Sequence, residues 1–226
     1  MKPDTRASGA VHDNSLPQWA IDKMTRRRGR RYAYEVVDPA TTALVVVDAT
    51  KPFIEGTPCA AAVVTPIARL ADCLRTAGGT VAWVTPAPMA PDDPNLAALW
   101  GQDHLRQMVD NGALAVLADG LEPDPQDIVV EKKGYSAFFP GMSPLPDMLA
   151  GRGVDTVVIA GVLTNICCES SARDAASLGY RVIMVADANA ARSDEEHRSA
   201  LYNILRNFGD VRFAEDLIAL IGEAVS

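Results

Sequence analysis

Along this chain the apolar residues gather into short β-branched runs separated by stretches with helical spacing. Thr42–Ala49 (TALVVVDA) is continuous and apolar, the mark of a strand covered on both faces. Ala60–Ala77 has helical periodicity and stops at Gly78-Gly79. Thr80–Thr85 is a second strand, closed by the Pro86 and Pro88 punctuation, and Asn95–Val109 reads as helix. Asp127–Lys132 is a third strand and Pro146–Gly151 a helix stopped by glycine. Thr156–Val162 is the fourth strand, followed by a helix over Asn165–Gly179. Arg181–Ala188 is the fifth, with a helix over Asp194–Phe208 that has Asp194 near its N-cap. Asp210–Phe213 and Ala214–Ala224 make a sixth unit.

Strands and helices alternating over short connections mean parallel strands joined by right-handed crossovers. The expected fold is α/β, a three-layer α/β/α sandwich with a six-stranded, mainly parallel sheet. An eightfold barrel would need two more units. Residues 1–40 are polar and irregular apart from a short helix around Trp19–Met24, so they read as an N-terminal arm before one domain spanning 41–226.

Composition narrows the classes. The 226 residues are 48% hydrophobic, enough for one sizeable core, and carry a net charge of −8. An acidic surface disfavours phosphate backbones, so no nucleic-acid partner is expected. The basic run Arg26, Arg27, Arg28, Arg30 and Arg31 is the local exception, and it reads as a solvated arm or subunit contact. No run approaches the ~20 apolar residues that span a bilayer, so no membrane partner is expected. No apolar leader is visible, which points to a cytoplasmic protein. Four cysteines (Cys59, Cys73, Cys167, Cys168) make no disulfide framework in a chain this long. With scattered histidines they make no zinc pattern either, and Cys59 and Cys73 read as small buried apolar groups.

Ligand sites in open α/β sheets lie beyond the carboxyl ends of the strands. That rule selects Asp48 at the end of the first strand, Lys132 at the end of the third, and Gly161–Cys168 after the fourth. Cys167 falls near the first turn of a helix, where free N–H groups and the macrodipole favour an anion and would lower a thiol pKa. The same N–H groups can hold an oxyanion. An aspartate can take the thiol proton, and a lysine can keep that aspartate ionised or polarise a carbonyl. A bland alternative makes Asp48 a turn former, Lys132 a solvated charge and Cys167-Cys168 packing.

Three segments, VVVDAT, EKKGYSAFFPG and GVLTNICCESSARDA, together with RVIMVADANAA, resemble the isochorismatase-like cysteine hydrolase family from about Thr42 to Arg212. The resemblance implies a catalytic Asp48, Lys132 and nucleophilic Cys167, and a six-stranded parallel sheet. It also implies a cis peptide at Val162–Leu163 that turns the Leu163 N–H toward an oxyanion alongside the Cys167 N–H. Strand alternation lets only one of Lys132 and Lys133 face the site, and the offset to Tyr135 favours Lys132. The offset from Gly161 and Thr164 likewise favours Cys167 over Cys168. Retention of the cysteine points to C–N cleavage of a small linear amide or ureido/carbamoyl compound through a thioester. That chemistry needs no cofactor and no metal. The family's D-x-Q-x-D-F pattern departs here to Asp48-Ala49-Thr50-Lys51-Pro52-Phe53. The absence of histidine from Asp48 to Trp100 argues against a nicotinamidase-type metal site.

Candidate substrate walls are Phe53, Trp83, Trp100, Tyr135 and Phe138, with Trp19 supplied by the arm. The family tendency implies a homo-oligomer, dimer or tetramer. Rival readings are an isochorismatase-type vinyl ether hydrolase and a non-enzymatic redox or binding protein using the Cys167-Cys168 pair.

Overall fold

A computed structural model describes residues 10–110 and 114–224. Its centre is a six-stranded sheet of order β3-β2-β1-β4-β5-β6, every pairing parallel. In chain order, helix α1 (Gln18–Arg28) precedes β1 (Thr42–Val47), and α2 (Lys51–Glu55) and α3 (Val64–Thr76) lead to β2 (Thr80–Pro86). Helices α4 (Pro94–Trp100) and α5 (Gln102–Asp110) come before β3 (Ile128–Lys132), and α6 (Leu145–Gly151) before β4 (Thr156–Val162). A π turn over Thr164–Cys168 runs into α7 (Glu169–Ser177), then β5 (Arg181–Ala190) and α8 (Asp194–Asn203). A second π turn, Ile204–Phe208, leads to β6 (Asp210–Arg212) and α9 (Ala214–Ala224). The expected helix over 95–109 is thus two helices. Gly101, at φ +85°, breaks it, a conformation an L side chain rarely takes.

Alternate residues of β1 feed two cores, which is what makes three layers. Leu44 and Val46 pack with Ile67, Leu70 and Leu74 of α3 and with Leu217 and Ile221 of α9. Ala43, Val45 and Val47 pack with Leu145 and Leu149 of α6, Ala172 of α7 and Leu201 of α8. β1 is wholly buried and so is uniformly apolar, while edge strand β3 alternates between buried and exposed positions. Among the described residues no helix is long and apolar enough to cross a membrane.

The segment before β1 is more tightly bound than an irregular arm. Helix α1 runs to Arg28, and Arg28 is no solvated charge. Its guanidinium donates to Asp210 Oδ1 at 2.8 Å and to the Leu205 carbonyl at 2.8 Å. Wholly buried Asp210 also accepts from the Ala33 and Tyr34 N–H groups, and the Arg212 guanidinium stacks 3.7 Å from the Tyr32 ring centroid. One run residue therefore staples the segment to β6, leaving Arg26, Arg27, Arg30 and Arg31 exposed.

Candidate active site

Asp48 leaves β1 with φ +52°, a left-handed conformation costly for a residue with a Cβ. The turn is pinned by the Asp48 N–H donating to the Val84 carbonyl at 2.8 Å and the Thr50 N–H donating back to the Asp48 carbonyl at 2.7 Å. Lys132 is the last residue of β3, on the buried side of an alternating strand, and its neighbour Lys133 is exposed. Its ammonium lies 2.8 Å from Asp48 Oδ2, donates to the Gly134 carbonyl at 2.9 Å and to Cys167 Sγ at 3.6 Å. The Lys132 and Asp48 side chains are 3% and 2% exposed. Three residues far apart in sequence thus meet over the carboxyl edge of β1, β3 and β4.

The loop carrying Cys167 depends on Gly161. There φ is +122°, and a Cβ would stand 2.0 Å from the Val47 carbonyl oxygen, so no other residue fits beside β1. The next peptide but one, Val162–Leu163, is cis. In the π turn that follows, the Ile166 and Cys168 N–H groups both donate to the Leu163 carbonyl. The Leu163 N–H, just past β4, donates to no backbone carbonyl among the described residues, and the Cys167 N–H lies within the π turn. They are the two donors named from the motif.

The electrostatics reverse one expectation. Burial, followed by the negative charge of Asp48, pushes the Cys167 thiol well up, and Lys132 only partly opposes it. Desolvation thus outweighs the helix-end effect. Burial also raises Asp48 against the pull of Lys132. For Lys132, burial disfavours the ammonium, but the charges of Asp48 and Cys167 more than offset it and leave the pKa raised. Burial thus works against the charged forms of both Cys167 and Asp48, while Lys132 favours them. Asp48 Oδ1, Thr50 Oγ1 and Asn165 Oδ1 are buried with no hydrogen-bond partner among the described residues. All three lie on the segments that carry Asp48 and Cys167.

The chain belongs to the isochorismatase family of hydrolases. The family's isochorismatase domain matches residues 42–216. The chain is 35% identical over 202 residues to the ureidoacrylate amidohydrolase RutB of Methylobacterium radiotolerans, covering 76% of each. Among solved structures it resembles a cysteine hydrolase from Pseudomonas syringae pv. phaseolicola 1448A, with a TM-score of 0.75 and 29% identity over 85% of this chain and 97% of that one. It also resembles N-carbamoylsarcosine amidase from Thermoplasma acidophilum, with a TM-score of 0.66 and 33% identity over 77% and 97%.

Within this family member the candidate wall aromatics fall into different surroundings. Trp83 is 1% exposed in the core between the sheet and α3, and its indole N–H donates to Asp127 Oδ2 at 2.7 Å. Asp127 precedes β3, so the indole serves the opposite edge of the sheet, beside a cavity of about 410 Å³ that Arg75 also lines. Phe138 is fully buried, edge-on to Tyr180 with centroids 5.6 Å apart, and so is core rather than wall. Ser136 explains why the segment holds: its Oγ accepts from the Phe138 and Phe139 N–H groups, and the Ala137 N–H donates to Ser171 on α7. Trp19 is exposed and packs on Tyr202 of α8. Phe53 is half-buried on α2 against the core, Trp100 is half-buried at the end of α4, and Tyr135 is exposed just past Gly134.

Cys168 is buried in the core, and Cys167, packed against the same core, faces Lys132; both are free thiols. Cys59 is buried, but Cys73 is only half-buried. Among the described residues no His, Cys, Asp and Glu cluster could hold a metal ion.

Proposed function

We propose that this hydrolase cleaves the C–N bond of a small linear amide or ureido/carbamoyl compound, with Cys167 as nucleophile and a thioester intermediate. The observation that carries the reading is the buried contact of Lys132 with both Asp48 and Cys167, beside the Leu163 and Cys167 N–H groups. Attack begins as the Cys167 proton passes to Asp48, so the thiolate forms as the C–S bond forms and is never a standing anion. The carbonyl oxygen becomes an oxyanion held by the Leu163 and Cys167 N–H groups. Collapse expels the amine, which takes the proton from Asp48. Water then attacks the thioester with Asp48 as base, the acid departs, and Cys167 regains its proton. Lys132 holds Asp48 ionised between steps.

The substrate class rests on chemistry of the site. Three buried oxygens on the flanking segments, of Asp48, Thr50 and Asn165, have no hydrogen-bond partner among the described residues, and an amide or ureido group carries N–H donors of the kind such acceptors take. The names of two relatives, a ureidoacrylate amidohydrolase and an N-carbamoylsarcosine amidase, point the same way.

Ammonia release from N-carbamoyl amino acids, biuret, ureidoacrylate analogues, maleamate and nicotinamide, for wild type beside Cys167→Ala, tests the proposal. Release that vanishes in the variant is the expected result. Release that survives it, or wild-type cleavage of isochorismate with no amide turnover, would overturn the proposal.

A further inference from the structure

Thr164 opens the π turn between Leu163 and Cys167 and is wholly buried. Its hydroxyl oxygen lies 2.8 Å from Nδ1 of His197 on α8. The other ring nitrogen, Nε2, lies 2.9 Å from Asn14 Oδ1 in the segment before α1. Asn14 presents a carboxamide oxygen, so Nε2 carries the proton and Nδ1 accepts from the Thr164 hydroxyl. Burial, with the nearby His12, pushes the His197 pKa down to about 3, so the ring stays neutral. His12 lies flat on His197, centroids 4.5 Å apart and planes 9° apart. His12 is itself fixed, Nδ1 2.7 Å from Asp194 Oδ1 and Nε2 accepting from the Ala191 N–H at 3.1 Å. One turn along α8, Arg198 donates to the Ser15 carbonyl at 2.9 Å and pairs with Asp13 at 3.1 Å.

We propose that His197, braced by His12 and Asn14, is a positioning residue that holds Thr164 and thereby aims the Leu163 and Cys167 N–H groups. The inference rests on the reading of Cys167 as nucleophile and goes beyond it. An apolar side chain would fill this space without the desolvation cost of a buried imidazole, yet both ring nitrogens here are committed to chain segments 150 residues apart (14 and 164). The π turn needs such an anchor. Its backbone sends two N–H groups to one carbonyl, that of Leu163, and the Thr164 side chain ties the turn to α8. A misplacement of about 1 Å at reacting groups costs about 100-fold in rate. The segment carrying His12 and Asn14 therefore takes part in catalysis without touching substrate.

The test compares kcat and KM on the amide turned over in the ammonia panel for Thr164→Val, Thr164→Ser, His197→Phe, Asn14→Ala and Asn14→Asp. Thr164→Val and His197→Phe should each lower kcat roughly ten- to hundredfold with KM within about threefold, and combining them should be no worse than either alone. Thr164→Ser, which keeps the hydroxyl, should stay within about threefold of wild type. Asn14→Ala empties no core, so it reads out even where the buried variants fail to fold. It should lower kcat several-fold at unchanged KM, and Asn14→Asp, which keeps an acceptor, should restore it. Wild-type kcat in folded Asn14→Ala or Thr164→Val, a change in KM alone, or additive losses in the double variant would overturn the inference. Activity surviving in Cys167→Ala would overturn the nucleophile reading instead, so the two failures are distinguishable.

Discussion

Replacing Lys132 with methionine keeps the volume and removes the charge that Asp48 faces. At 2.8 Å and an effective dielectric of about 20, the lost attraction is about 6 kcal/mol. Asp48 is already raised by burial, so without the Lys132 charge its folded pKa should rise further. A larger share of the population would then hold a protonated Asp48, unable to take the thiol proton. The expected result is a fall in kcat of at least about tenfold at pH 7, with the acidic limb of the pH–rate profile displaced upward and activity partly recovered at alkaline pH.

Stability should move in the opposite sense. A carboxyl whose folded pKa lies above its unfolded value binds its proton more tightly in the folded state. The variant therefore loses stability as pH rises from the unfolded pKa toward the folded one. Thermal unfolding should show a larger deficit against wild type at pH 8 than at pH 5. Steady-state amine release across pH, with melting at both pH values, checks both halves. A variant with wild-type kcat at pH 7 and an unmoved profile would refute the reasoning.

Three further outcomes follow from the geometry. Gly161→Ala sets a Cβ 2.0 Å from the Val47 carbonyl at φ +122°, so chemical denaturation should show a loss of at least about 2 kcal/mol, and a loss under about 0.5 would contradict the close approach. Trp83→Phe removes the N–H that meets Asp127 at the far edge of the sheet. It should cost about 1–3 kcal/mol of stability and leave kcat within twofold, whereas a large kcat loss would return Trp83 to the substrate site. Because burial and Asp48 push the Cys167 thiol up, its alkylation by iodoacetamide should keep accelerating from about pH 6 to 8.5, and a plateau near neutrality would reveal a standing thiolate.

Much of this was legible along the chain because β-branched runs and helical spacing are local signals. Six units and their parallel order came from those alone. Strand ends marked Asp48, Lys132 and the Gly161–Cys168 segment as candidates, while the choices of Lys132 over Lys133 and Cys167 over Cys168 came from the motif offsets to Tyr135, Gly161 and Thr164. The aromatic walls were not legible for the opposite reason. Strand β2 is buried along nearly its whole length, so its pattern carries no sign of which layer Trp83 enters, or that Asp127 draws the indole to the far edge. Phe138 hides in the same way: its motif marks the neighbourhood of Lys132, but Ser136 and Tyr180 turn the ring into the core. The docking of residues 12–34 rests on contacts more than 170 positions away, to Asp194, His197 and Asp210, which periodicity does not report. The thiol pKa depends on how deeply Cys167 is buried, a tertiary property that overrode a local helix-end argument.

The most direct test of the central claim is how the acyl group partitions between water and added hydroxylamine during turnover of the identified amide. A thioester on Cys167 predicts hydroxamate formed at the expense of acid, with amine release undiminished and both products absent in Cys167→Ala. Acid alone, at the same rate with or without hydroxylamine, would mean that water attacks the substrate directly and that no acyl-enzyme forms on Cys167.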